Sequence, residues 1–201
     1  MIYGRSMSQV IVINSITLDG VVQGPGRADE DTRDGFTLGG WAAAAMNDEV
    51  QAEVNDRVEH AGGMRLLLGR RSYEGMLGYW NTQDHPFKDG LNNAEKYVAS
   101  TTLPDPAPWP NTTLLRGDVP KAVADLKSRL DNDLIIMGSG ELIQTLLRHG
   151  LIDEFMLIVH PRVLGTGRQL FPSNGATAEF SLISSRATET GALVVSYAVT
   201  R

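Results

Sequence analysis

Two features of this chain predict an α/β fold with a mostly parallel sheet, helices on both faces and an antiparallel hairpin at one edge. Short β-branched or leucine-rich runs alternate with amphipathic segments of helical period through most of the 201 residues. The last two apolar runs break the alternation, because only a turn separates them. With 42% hydrophobic residues the length supports one sizeable core. A single domain is therefore expected over residues 9–201, after a leader over residues 1–8 expected to be disordered; Met7 is an alternative start.

The elements follow in order. "QVIVINSITLDG" opens as a buried strand closed by Asp19-Gly20. "VVQGPGRADEDTRDGFTLGGW" has no period and reads as a long loop, of the kind that is usually functional or mobile. "MNDEVQAEVNDRVEHAGG" reads as a helix with Asn47 or Asp48 as its cap and Gly62 past its end. "MRLLLG" is a short buried strand, and "RRSYEGMLGYW" a helix opened by Ser72. "AEKYVAS" and "TTLLRG" are strands flanking the Pro-rich "LPDPAPWPN". In "GDVPKAVADLKSRL", Asp118 can cap a helix with Pro120 in its first turn and one apolar face. "DLIIMG" is a strand, "GELIQTLLRHG" a helix stopped by Gly150, and "EFMLIVHPRVLG" a strand entering a loop. "EFSLISSRAT" and "GALVVSYAVT" make a hairpin across "ETG".

Composition excludes several functions. Net charge is −6 and no Lys/Arg run supplies a basic footprint, which argues against nucleic-acid binding. The absence of cysteine excludes disulfides and thiolate metal sites. The four histidines lack ligand spacing, and the acidic run "ADEDTRD" lacks the order of a calcium loop, so no metal is expected. No apolar run approaches the ~20 residues of a membrane span. The start has no signal-peptide pattern, so a soluble, cytoplasmic protein is expected.

Two strand-to-helix junctions stand out, "LLLGRRSYE" and "IIMGSGEL". Each puts backbone N–H groups and a helix N-terminus at the carboxyl end of a strand, where open α/β sheets bind phosphates. Gly138 and Gly140 leave room for a pyrophosphate near the backbone. Arg70 and Arg71 can hold a further phosphate through forked, charge-assisted bonds. Each feature alone also reads as a tight turn or a solvated arginine pair. Together they describe NADPH, which carries a pyrophosphate and one further phosphate.

The order of "LDG", "GGW", "LLLGRRSYE", "KYVAST", "IIMGSGELIQTLL" and "LIDEFMLIVHPRVLGTGRQLF" resembles the dihydrofolate-reductase-like family. It is closest to the branch shared with the reductase domain of bacterial riboflavin biosynthesis. The resemblance implies a three-layer α/β/α fold and the cofactor NADPH. It implies that Gly69, Arg70, Arg71 and Ser72 form the turn that meets the 2′-phosphoribose and pyrophosphate. Ser100 and Thr101 correspond to the hydroxyl residues beside the adenosine. Gly138, Ser139, Gly140, Glu141 and Leu142 correspond to the glycine turn under the pyrophosphate. Val21, Val22, Gln23 and Gly24 correspond to the mobile loop over the nicotinamide.

At the substrate end, Trp41 looks like the tryptophan that follows this loop in folate reductases. Asp48 is the nearest carboxylate after it and a candidate catalytic group, though capping its helix is a competing role. His160, before Pro161 at a strand end, is a candidate substrate contact. Three positions depart from the relatives. Met137 stands where riboflavin-pathway reductases have an acidic residue, Val21 where they tend to have lysine, and Ile143 where folate reductases often carry an aromatic residue. The expected activity is NADPH-dependent reduction of a small oxidised heterocycle, such as a pterin or pyrimidine. The alternative is a non-catalytic protein binding a nucleotide, flavin or folate on the same scaffold. The resemblance also implies a homodimer, with "FMLIVHP" and "VLGTGRQLF" at its interface.

Overall fold

The computed structural model describes residues 7–200, so residues 1–6 of the expected leader lie outside the described residues. Ser8 belongs to the folded domain: it is buried, and its amide donates to the Lys127 carbonyl at 3.0 Å. The elements are β1 (Val10–Thr17), α1 (Asp48–His60), β2 (Arg65–Gly69), α2 (Arg70–Trp80), α3 (Pro86–Asn93), β3 (Glu95–Ala99), β4 (Thr112–Leu115), α4 (Val119–Arg129), β5 (Leu134–Met137), α5 (Gly140–Arg148), β6 (Glu154–His160), β7 (Glu179–Ala187) and β8 (Leu193–Thr200). The strands form one sheet in the order β4-β3-β2-β5-β1-β6-β8-β7. Pairing is parallel from β4 to β6, and antiparallel where β8 meets β6 and β7.

The strand alternation divides the core into two layers. Val10, Val12, Leu67, Leu134, Ile136, Phe155 and Leu157 face one side, against Val123 and Leu126 of α4 and Leu142, Ile143 and Leu146 of α5. Ile11, Ile13, Leu66, Leu68, Ile135, Met156 and Ile158 face the other, against Val50 and Val54 of α1, Tyr73 and Leu77 of α2 and Leu91 of α3. The expected three-layer arrangement is present. Because the middle strands are covered on both faces, they read as continuous apolar runs.

Helix α3 has no counterpart in the sequence reading. Its sequence, PFKDGLNN, has low helix propensity, but His85 accepts the Phe87 amide as cap at 3.1 Å, Pro86 occupies the first turn and Leu91 is fully buried. At α1 the cap is Asn47, whose Oδ1 accepts the Val50 amide at 3.0 Å, and Asp48 is the first helical residue. Ser72 does not cap α2, which begins at Arg70 with Gly69 in extended conformation before it. Asp19 is more than a turn residue. Its carboxylate accepts the Thr17 hydroxyl at 2.6 Å and the amides of Leu164 and Gly165 at 3.1 and 2.7 Å. The Thr17 hydroxyl first, and then the Gly165 amide, hold its pKa below the usual carboxylate value.

Two ionic contacts tie the layers together. Arg57 on α1 grips Glu154 on β6 with two bonds of 2.7 and 2.8 Å, both side chains largely buried. Lys96 on β3 is 1% exposed, and its ammonium donates to the carbonyls of Leu91 and Ala94 at 2.6 Å and of Asn92 at 3.3 Å. Burial pushes its pKa down to about 8, so it remains charged at neutral pH. It satisfies the last carbonyls of α3 where the helix dipole favours a cation. Lys96→Met keeps the apolar stem and leaves these buried acceptors unpaired. It is expected to lower unfolding stability by about 1–3 kcal/mol, measured by urea denaturation.

Candidate functional site

Strands β2 and β5 are neighbours, with Leu66 opposite Ile135. Three residues further along each strand come Gly69 and Gly138, so both junctions emerge side by side at the carboxyl end of two central strands. The chain reverses sharply after β5: Gly138 has φ +68° and Ser139 φ +59°, both left-handed. Gly138 is required twice over, since a Cβ there would lie 2.9 Å from the Ser72 hydroxyl. Asn14 of β1 fixes the same residue, taking its amide at 2.6 Å and donating to its carbonyl at 3.3 Å. Ser72 accepts the Ser139 amide at 2.8 Å, and Ser139 accepts the Gly69 amide at 3.0 Å.

Among the described residues, the five α-helices differ at their starts. Asn47, His85 and Asp118 cap α1, α3 and α4 with side-chain bonds, whereas α2 and α5 have no side-chain cap. Their first-turn amides have no intrahelical acceptor and carry the positive ends of two helix dipoles. A Cβ on Gly140 would meet nothing within 4 Å, so the space above the α5 N-terminus is open. Arg70 makes an ion pair with Glu74 at 3.2 Å, each side chain 41% exposed, and Arg71 is exposed. Just past the end of the neighbouring β3, the Ser100 hydroxyl accepts the amides of Thr102 and Leu103, while Thr101 is exposed. Glu141 is exposed at the α5 N-terminus and meets Arg168 at 3.1 Å and Arg33 at 3.7 Å; Leu142 is buried in the core.

The segment expected to be a mobile cover is tied down at several points. Val21 is buried and bridges to Gln169, and the Val22 amide donates to the Arg168 carbonyl. Gln23 is 3% exposed; its amide group donates to the carbonyls of Asp31 and Arg33 and accepts the Arg168 amide at 2.9 Å. Its side chain is thus a structural knot, turned into the loop. Gly24 takes φ +59°, and its carbonyl accepts the Gly40 amide at 2.8 Å. Phe36, Trp41 and Ala42 form a small separate core beneath the loop, joined by Leu164.

Trp41 and His160 are brought together, and both are buried. Their rings meet edge to face at 5.3 Å, and the Trp41 indole donates to the Gln23 carbonyl at 2.7 Å. His160 Nε2 lies 3.0 Å from the Ser15 hydroxyl, and its Nδ1 has no partner among the described residues. Burial first, and the Arg162 charge second, push its pKa down to about 4. Asp48 is exposed and lines a shallow depression with Asn47, Glu49, Arg186 and Glu189. There Glu49 accepts bonds from Arg186 and the Glu189 amide, fastening the terminal hairpin to α1. Asn14, Ser15, Arg33 and Arg168 were not singled out from the sequence. Asn14 carried a visible signal, a lone amide within an apolar strand; Ser15 and Arg168, and Arg33 in its contact with Glu141, act across more than 25 residues of chain.

This arrangement is a reductase-type fold of the dihydrofolate-reductase-like class. The family profile described as RibD C-terminal domain matches residues 8–194, and the chain belongs to that family. "Uncharacterized protein YyaP" of Bacillus subtilis (strain 168) is 28% identical over 140 residues, covering 66% of this chain and 72% of the relative. A putative riboflavin biosynthesis protein from Shewanella sp. PV-4 superposes with TM-score 0.66 at 21% identity, over 96% of this chain and 99% of the other. Dihydrofolate reductase from Enterococcus faecalis, complexed with NADP(H) and RAB-propyl, superposes with TM-score 0.60 at 14% identity, over 96% and 97% of the two chains. Among the described residues, no helix is long and apolar enough to cross a membrane.

The His160 environment gives a pH dependence. Its folded pKa, about 4, lies below the unfolded value of 6.5, so the unfolded chain binds the proton first. Stability is therefore full above pH 6.5 and falls between pH 6.5 and 4, by about 2–3 kcal/mol. In urea titrations across this range, His160→Gln should remove that part of the fall; an unchanged pH profile would contradict the burial cost.

Proposed function

We propose that this protein is an NADPH-dependent reductase of a small oxidised heterocycle, such as a pterin or pyrimidine. The observation that carries the reading is the pair of uncapped helix N-termini on adjacent strands, with open space at Gly140 and arginines at the first turn of α2. Amides at the head of α5 suit a pyrophosphate, and Arg70 and Arg71 suit a 2′-phosphate. Ser100 and Thr101 follow the end of the next strand, where an adenosine would extend. When bound, the nicotinamide supplies a hydride; the chain holds the two phosphate groups and shelters the reacting face from water. The loop around Gln23 and Trp41 forms that shelter. The same reading places the protein in the cytoplasm.

A specific observation favours a second reading, a nucleotide, flavin or folate carrier without turnover. Asp48, the sequence's candidate catalytic carboxylate, is exposed beside an ion-paired depression, while Trp41 and His160 are buried against each other. Steady NADPH oxidation with any heterocycle from a pterin and pyrimidine panel would reject the carrier.

The cofactor assignment is tested by fluorescence titration with NADPH and NADH in parallel. NADPH is expected to bind the more tightly. Arg70→Ala should weaken NADPH by about tenfold and NADH much less, since about 1.4 kcal/mol of charge-assisted bonding to the 2′-phosphate is lost. Equal losses for the two cofactors would remove the 2′-phosphate role.

We also propose self-association through the terminal hairpin. The expected interface strand β6 is interior to the sheet, with Phe155 to Ile158 buried between β1 and β8. The exposed apolar surface lies one strand pair further out. Phe180 and Leu182 of β7 pair with Val199 and Tyr197 and share their face with Phe171. Phe171, Phe180 and Leu182 are 39%, 38% and 58% exposed. Light scattering should give a dimer mass for the wild type and a monomer mass for Leu182→Glu; a monomeric wild type removes the proposal.

A further inference from the structure

Two hydrogen bonds run in opposite directions between the junctions. Ser72, in the first turn of α2, accepts the amide of Ser139; Ser139, at the head of α5, accepts the amide of Gly69, the residue that leads into α2. Each turn thus places a hydroxyl on the other's backbone. Ser139 holds φ +59° and ψ +42°, a left-handed conformation that glycine takes without strain and a serine does not. Between Gly138 and Gly140 a third glycine would be the undemanding choice. The serine that stands there uses its hydroxyl oxygen, which accepts the Gly69 amide. The neighbouring positions agree. Gly138 lacks a side chain where the Ser72 hydroxyl approaches to 2.9 Å of a Cβ, and Asn14 anchors the same turn to β1. Each serine oxygen is spent as an acceptor, and neither O–H donates to any acceptor among the described residues.

We infer that Ser72 and Ser139 are positioning residues that lock the two turns into one anion site, so that each phosphate contact depends on the opposite turn. The inference rests on the NADPH reading above. Their O–H groups remain to donate to phosphate oxygens at the mouth of the site. An isolated turn of two left-handed residues would sample several arrangements before binding. With both serines engaged, the amides of α2 and α5 are already aligned, and less ordering accompanies binding.

The test uses calorimetric titration of the full chain with NADPH, NADH and 2′-AMP. The last of these reaches only the adenosine and 2′-phosphate contacts at α2. Ser139→Gly is the leading variant, because glycine suits the backbone at that position and the thermal midpoint should not fall for conformational reasons. It changes α5, yet it is expected to weaken 2′-AMP as well as NADPH, each by roughly fivefold, the value of about one hydrogen bond. The ratio of NADPH to NADH affinity should fall as well, because only NADPH presents a 2′-phosphate to the loosened α2 turn. Ser72→Ala should behave in the same way, and Ser72→Thr, which retains the hydroxyl, should restore binding. Wild-type 2′-AMP affinity in Ser139→Gly, with tight NADPH binding by the wild type, overturns the clasp and leaves the NADPH reading standing. If the wild type binds neither NADPH nor 2′-AMP, the NADPH reading fails and the clasp's role fails with it.

Discussion

The placement of β5 between β2 and β1 is the constraint on which the site depends. Parallel pairing with β2 sets Gly69 beside Gly138, and pairing with β1 sets Asn14 where it can hold the Gly138 peptide on both its amide and its carbonyl. Neither neighbour is adjacent to β5 in sequence. The arrangement follows from burial: Leu134, Ile135 and Ile136 are fully buried, and only a central strand covered on both faces can hide all three. A one-residue slip of β5 would turn Ile135 toward α4 and α5 and move Gly138 away from Ser72. Core packing therefore sets the position of the site's backbone to within one residue.

Much of the fold was legible because its signals are local. The apolar run of β1, the Asp118 cap and Pro120 of α4, and the strong apolar stripe of α5 each lie within a dozen residues. Helix α3 was missed because its sequence argues against a helix and its support is tertiary, through Leu91 and the Lys96 ammonium. Ser72 was misread for a related reason. A serine near a helix start is ordinarily a cap, but here its hydroxyl serves a backbone amide 67 residues away. The two junctions were visible as Gly-rich strand ends; their mutual bonding was not, since register alone brings them together. Trp41 and His160 are separate candidates in the sequence and meet in the fold, but their burial depends on packing that no local pattern carries.

The long loop illustrates how a polar, aperiodic segment acquires structure without regular hydrogen bonding. Gln23 supplies what a strand ladder would: its side chain satisfies two carbonyls, 8 and 10 residues away, and one amide 145 residues away, and its own carbonyl takes the Trp41 indole. Asp19 performs the corresponding task at the other side, holding the Leu164 and Gly165 amides. These two side chains join the end of β1 to the segment after β6. Any opening of the loop must therefore release bonds at Gln23 or pivot outside them, which confines movement to the exposed residues beyond Gly24.

The charge arrangement around α5 bears on binding and release. The chain is acidic overall at −6, yet Arg33, Arg70, Arg71 and Arg168 are placed around or beside the two uncapped helix ends. Three of them are already paired: Arg70 with Glu74, Arg168 with Asp34 and Glu141, and Arg33 with Asp31 and, more distantly, Glu141. An incoming phosphate would have to compete with these carboxylates, and Glu141 in particular opposes an anion at the α5 N-terminus. Such pairing keeps the guanidinium groups oriented while lowering the net gain from each phosphate contact. On the proposed NADPH reading, moderate ground-state binding would be the useful condition, because affinity shared equally by bound cofactor and transition state adds nothing to turnover. Glu74 and Glu141 can then be understood as counter-charges that hold the arginines ready without making the site retentive.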